Sequence, residues 1–210
     1  MSRRINADEK EKFQEDISAV FATCWNLAVK KHPIEVIKDF EQFLTDTTLP
    51  RMKYNPQIPG FTLSFDNYSH TFHNQPFAPP SGQSAMNYCR YIHREVNATR
   101  YMILWYTNRE THYGSLSPLQ SGANFFLADY GVRVPNASDT SICWEPEKAH
   151  GTSLMEKGDS FQQIGLSIGI GNRLKNIWEK HKLEEFRQVD MLKQLEEEIT
   201  NINIEDIEIE

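Results

Sequence analysis

Between residues 7 and 30 the apolar positions Phe13, Ile17, Val20, Phe21, Cys24, Trp25, Leu27 and Ala28 fall at helical spacing, which predicts an amphipathic helix. Lys30-Lys31-His32 places cationic groups where a helix C-terminus favours them, and Pro33 ends the segment. A second helix is expected from about Ile34 to Leu44, with Ile34, Ile37, Phe40, Phe43 and Leu44 on one face. Pro50, Pro56 and Pro59-Gly60 then break regularity.

From Phe61 the period changes to two. Phe61, Leu63 and Phe65 alternate with Thr62 and Ser64, as in a half-buried strand. Residues 74–83 read as a Pro/Gly loop, 85–92 as extended or ambiguous, and the run Tyr101 to Tyr106 as a buried strand. A polar loop is expected over 107–121. Short strands follow at Asn124 to Leu127, Val132 to Val134, Ser141 to Trp144 and Gln163 to Ile170, the spacing of a sandwich or barrel. Asp129-Tyr130-Gly131 reads as a turn, and Trp105, Tyr106, Phe125, Phe126 and Trp144 read as core.

Helical spacing returns with Ile177, Leu183, Phe186, Val189, Leu192, Leu195 and Ile199, a helix of about six turns. It is either docked on the body or a coiled-coil surface for oligomerisation. The ending Ile202 to Glu210 alternates like a strand and is expected to fray. The organisation is therefore a helical preface over 1–60, a β domain over 61–173, and an acidic helix and tail over 174–210.

Charge changes the picture of partners. The net charge is −7, and residues 174–210 alone hold 5 Lys/Arg against 11 Asp/Glu, so the remainder is nearly neutral. A domain that grips nucleic acid through phosphates needs an excess of Lys and Arg, and neither segment has one. No run of about 18 apolar residues occurs and the start carries no apolar signal core, so a soluble, intracellular protein without membrane contact is expected. Cys24, Cys89 and Cys143 are widely spaced and read as reduced, buried thiols.

A helical preface followed by many short strands and a late His150-Gly151-Thr152-Ser153 is the sequence organisation of a double-stranded β-helix, or jelly roll. One chemistry suits that scaffold. A non-haem Fe(II) site needs two imidazoles and a carboxylate on one face of the metal, with open positions opposite. On extended backbone, residues i and i+2 project to the same side, so a His-x-Asp/Glu pair supplies two of the three. His93-Arg94-Glu95 is the only His-x-Glu in the chain, no His-x-Asp occurs, and His150 follows later as a distal ligand. His70-Thr71-Phe72-His73 has the wrong parity for one ion on a strand.

At these residues the chain resembles a known group. Phe65-Asp66-Asn67-Tyr68, His93-Arg94-Glu95, Leu104-Trp105-Tyr106-Thr107-Asn108-Arg109, the segment Gly122 to Val132 with its Asp129-Tyr130-Gly131, and His150-Gly151-Thr152-Ser153 are similar to the Fe(II)/2-oxoglutarate dioxygenases of the Tet/JBP type, especially divergent members abundant in fungi and associated with mobile elements. The similarity spans roughly residues 61–173. It implies an α+β protein with a jelly-roll core, Fe(II) and 2-oxoglutarate as cofactors, and oxidation of a methylated pyrimidine base, with nucleic acid as partner. Carried over by position, His93, Glu95 and His150 are the metal ligands.

Two departures accompany the resemblance. Glu95 stands where the family usually has Asp, and a rival register would put the first ligand at His73 with no carboxylate following. The family also holds the far carboxylate of 2-oxoglutarate with an Arg on the strand after the distal His, because a planar fork of donors matches it. No Arg lies between His150 and Arg173. Gln163 falls about where that Arg belongs, Arg173 is the nearest substitute, and Lys157 is a poorer one. An oxygenase and a catalytically inactive jelly-roll binding or scaffold module are thus both open readings.

Overall fold

Asn6 opens the first helix by a reciprocal capping box: its Oδ1 accepts from Glu9 N–H at 2.7 Å, and Glu9 Oε2 accepts from Asn6 N–H at 3.2 Å. In the computed structural model, which describes residues 6–52, 60–110, 122–155 and 161–205, this helix is α1, Ala7–Lys31. Helix α2 runs Ile34–Thr47, three residues beyond the expected end, and stops at Thr48 in the left-handed conformation. Trp25 and Phe40 lock the two helices edge to face, 5.4 Å between ring centres.

Among the described residues three antiparallel sheets follow, so the chain is α+β. The first is a hairpin of β1, Gly60–Phe65, and β2, Tyr68–His73. Asp66, at φ 49°, turns the chain between Phe65 and its register partner Tyr68, so the expected strand from Phe61 ends at Phe65 and the segment Phe65-Asp66-Asn67-Tyr68 is a hairpin tip. The second contains β3, Gly82–Met86; β4, Met102–Glu110; β7, Thr140–Trp144; and β9, Gln162–Ile168; its spatial order is β3-β9-β4-β7. The third orders β6, Val132–Val134, beside β5, Phe125–Leu127, and then β8, His150–Thr152.

Strand β4 corrects the expected polar loop at its start. Asn108, Arg109 and Glu110 stay in the ladder after a bulge at Thr107, pairing with Ile164, Gln163 and Gln162. The remainder of that loop, 111–121, lies outside the described residues, as does Lys157.

A core of Tyr106, Phe125, Ile142 and Trp144, flanked by Met102, Leu104, Leu127 and Val134, joins the four-stranded sheet to the three-stranded one. On the hairpin side Ala19 and Ala22 of α1 pack on Phe61, with Leu63, Phe72 and Phe77 around them. His32 and Ser141 Oγ meet at 2.7 Å, and the Asp39 carboxylate accepts the Tyr101 N–H at 3.1 Å, so the helices buttress β4 and β7. Gly82 permits part of this: a Cβ there would stand 2.1 Å from the Phe21 ring.

The chain divides into two compact units, Met1–Asn172 and Arg173–Glu210. The second holds all but the first residue of α3, Asn172–Glu205, a helix of 34 residues that is longer than the apolar spacing suggested. Residues 202–205 are helical, contrary to the strand-like reading of the tail; 206–210 lie outside the described residues. Ile177, Leu183, Phe186 and Leu192 are exposed. No described helix is long and apolar enough to cross a membrane.

Candidate metal centre

The segment before β4 is irregular, yet it is pinned to β8 at His93 and His150. The two backbones exchange hydrogen bonds, His93 N–H to His150 O at 2.8 Å and His150 N–H to His93 O at 2.9 Å. Two further ties flank them: Arg90 N–H donates to Thr152 Oγ1 at 2.7 Å, and Thr152 N–H donates to Arg90 O at 2.9 Å. Gly151 allows the approach, since a Cβ there would stand 3.0 Å from Ile92 Cα and 3.1 Å from Arg90 O.

That pairing brings the two imidazoles together, ring centres 4.3 Å apart. Glu95 joins them, its Oε1 3.0 Å from His93 Nε2, and one ligating atom from each of His93, Glu95 and His150 lies within 4.8 Å of the others. The side-chain parity expected for positions 93 and 95 is therefore present. Among the described residues these three form the group able to hold a metal; His73 sits exposed on β2 opposite Gly60 and is not part of it.

The proton inventory of the histidines favours a cation. His93 Nδ1 faces Tyr91 O at 2.9 Å, and His150 Nδ1 faces Lys148 O at 2.8 Å. A carbonyl only accepts, so each Nδ1 carries a proton, and a neutral ring then presents its lone pair at Nε2, the tautomer that outer hydrogen bonds impose on metal-binding histidines. His93 Nε2 then meets an acceptor, the Glu95 carboxylate. Neutral imidazole cannot satisfy both contacts; a proton or a metal ion between Nε2 and Oε1 can. Burial lowers the His150 pKa, against the Lys148 carbonyl bond that raises it, which favours the neutral ring that can ligate. The donor set of two imidazoles and a carboxylate fits Fe(II) and other divalent first-row metals.

A second bracing layer holds the ligand segments. Arg94 forks onto Asp129, Nη1 to Oδ2 at 2.8 Å and Nη2 to Oδ1 at 2.7 Å, and also donates to Glu147 O at 2.9 Å. Asp129 Oδ2 accepts from Ala149 N–H at 2.9 Å. These contacts, led by the Ala149 bond, hold the Asp129 carboxyl below its ordinary pKa. Asp129 belongs to a 3-10 turn, Ala128–Tyr130, closed by Gly131 at φ 62°, so the expected Asp-Tyr-Gly turn is present and also braces the site.

The three ligands line a cavity of about 120 Å³ with an apolar wall of Met102, Leu104, Phe125 and Trp144. A single water needs roughly 10–15 Å³ by such a measure, so a small organic molecule fits. Burial pushes the Tyr106 phenol, also in the wall, up to about 12, which keeps its hydroxyl protonated. The Trp144 indole N–H is buried without an acceptor among the described residues.

The two other sequence candidates separate. Gln163 is 2% exposed and lines the cavity, but its Oε1 accepts from Arg109 Nη1 and its Nε2 donates to Ala123 O at 3.4 Å. Arg173 begins the second unit, as a residue of α3. Sequence reasoning missed two arginines. Arg109 is the cross-strand register partner of Gln163, and burial lowers its pKa. Arg90 lines the cavity and donates through Nη1 to Glu95 Oε1. The thiols also differ from expectation: Cys24 is buried, Cys143 half-buried and Cys89 exposed.

A scan of protein-family models matches none, and searches of curated proteins and of solved structures return no match.

Proposed function

We propose that the chain is an Fe(II)/2-oxoglutarate-dependent dioxygenase on a jelly-roll scaffold, with His93, Glu95 and His150 as the metal ligands. The observation that carries this reading is their convergence, ligating atoms within 4.8 Å, on the wall of one cavity. Four-stranded and three-stranded antiparallel sheets sharing the Tyr106–Phe125–Trp144 core support the scaffold. Bound Fe(II) with 2-oxoglutarate supplies the oxidising chemistry that protein side chains lack. The chain's own residues do the rest. The Tyr91 and Lys148 carbonyls hold both imidazoles in the ligating tautomer. Met102, Leu104 and Phe125 exclude water, and Tyr106, its phenol kept protonated by burial, is engaged by the Asn136 side chain. The resemblance alone supplies the substrate class, a methylated pyrimidine base in nucleic acid.

A second reading is favoured by one observation. The strand after the distal histidine offers Gln163 in place of a cation, and that amide is engaged by Arg109. A jelly-roll module that binds without oxidising fits this arrangement. Anaerobic Fe(II) titration followed by 2-oxoglutarate separates the two. The oxygenase gives the weak visible charge-transfer band of a chelated site, which His150→Ala abolishes; a protein that binds neither is the inactive module.

A further inference from the structure

One oxygen of Glu95 serves two partners. Its Oε1 lies 3.0 Å from His93 Nε2 and also accepts from Arg90 Nη1. A divalent ion between the imidazoles and that carboxylate would draw on the same negative charge, so the guanidinium and a metal compete for Glu95. Arg90 is built for exchange. Its backbone is tied to Thr152 in both directions, yet its side chain is 40% exposed, so the guanidinium can swing without moving the strand pairing. It is also the sole Lys or Arg among the described residues lining the cavity, whose other walls carry apolar, amide and hydroxyl side chains beside His93, Glu95 and His150. Once its carboxylate is taken, the guanidinium at the cavity wall keeps its Tyr88 contact and is free to pair with an anion there.

We propose that Arg90 is an exchangeable cation: it neutralises Glu95 in the metal-free protein and, displaced when a divalent metal takes Glu95, binds the carboxylate of a small organic anion entering the cavity. The inference rests on the metal-site reading above. It places the anion's anchor ahead of His93 and needs no cation on β9. The planar guanidinium fork matches a carboxylate. Linkage makes the effect reciprocal, so the metal tightens the anion by the same factor as the anion tightens the metal.

Calorimetric titration of the full chain tests this with Zn(II), which is redox-inert, and glutarate, a dicarboxylate that lacks a keto group for chelation. Wild type should bind glutarate about tenfold more tightly when loaded with Zn(II), within the usual range of such couplings. Arg90→Gln should bind Zn(II) several-fold more tightly, having lost the competing cation, and should lose the tenfold gain for glutarate. Arg90→Lys, which keeps the charge without the fork, should recover part of that gain and confirms that the position tolerates substitution. If either affinity in Arg90→Gln equals that of wild type, the exchange is overturned while the metal site stands. If wild type binds no Zn(II), the metal-site reading fails and takes this inference with it.

Discussion

His93 and His150 are joined through both backbone and side chain: their main chains exchange hydrogen bonds of 2.8 and 2.9 Å while their rings lie 4.3 Å apart. The pairing fixes two candidate ligands 57 residues apart in sequence by the same force that holds a sheet together, so the cluster is part of the fold.

Metal loading should therefore stabilise the native state. An ion that binds only the folded chain adds RT ln(1 + [L]/Kd), about 2.7 kcal/mol at a hundredfold excess over Kd. Calorimetric melting with Zn(II) and with a chelator should show the increment in wild type. His93→Ala and Glu95→Ala should each erase it, and an equal increment in either variant would remove that residue from the ligand set.

Asp129 gives a pH prediction with a definite sign. Its carboxyl is held below the ordinary value of 3.8, first by the Ala149 N–H and then by Arg94, so the folded chain binds fewer protons there than the unfolded one. The stabilisation is complete above that ordinary value and is lost as pH falls through the depressed one. Asp129→Asn should lower the urea midpoint at about pH 7 and converge on wild type in strong acid. A difference independent of pH would mean that the carboxylate's charge contributes nothing to the brace.

The thiols offer an inexpensive check of the packing. Burial pushes the Cys24 thiol up to about 11 and raises that of half-buried Cys143, whereas Cys89 is exposed. An aromatic disulfide reagent should modify one thiol quickly in the native protein and all three after denaturation. Cys89→Ser should remove the fast phase.

The site was partly legible in the sequence because its rule is local. His93 and Glu95 share a side through simple i, i+2 parity, and the helices declare themselves by apolar spacing and by Pro33. What escaped depends on register. Asn108, Arg109 and Glu110 look like loop because they are polar, yet they pair with β9, and only that pairing sets Arg109 against Gln163. Arg90 lies three residues before His93 in irregular backbone, where no periodicity says which way a side chain points. Its contact with Glu95 follows from the Thr152 ties, which are set by chain segments far apart in sequence.

Gly151 is where packing and chemistry meet most directly. A methyl group at this position would press on backbone, at 3.0 Å from Ile92 N and Cα and 3.1 Å from Arg90 O, and backbone cannot rotate away as a side chain can. Either β8 or the segment carrying Arg90 and His93 must retreat. Overpacking of this kind costs about 1–3 kcal/mol. Gly151→Ala should therefore lower the urea midpoint and, by separating His93 from His150, weaken Zn(II) binding more than the stability loss alone explains. Gly165→Ala is the control, because a Cβ at Gly165, also in the cavity wall, meets its neighbours at an ordinary 3.5 Å. It should leave Zn(II) binding near the wild-type value, and equal losses in the two variants would show that close approach at Gly151 does not position the ligands.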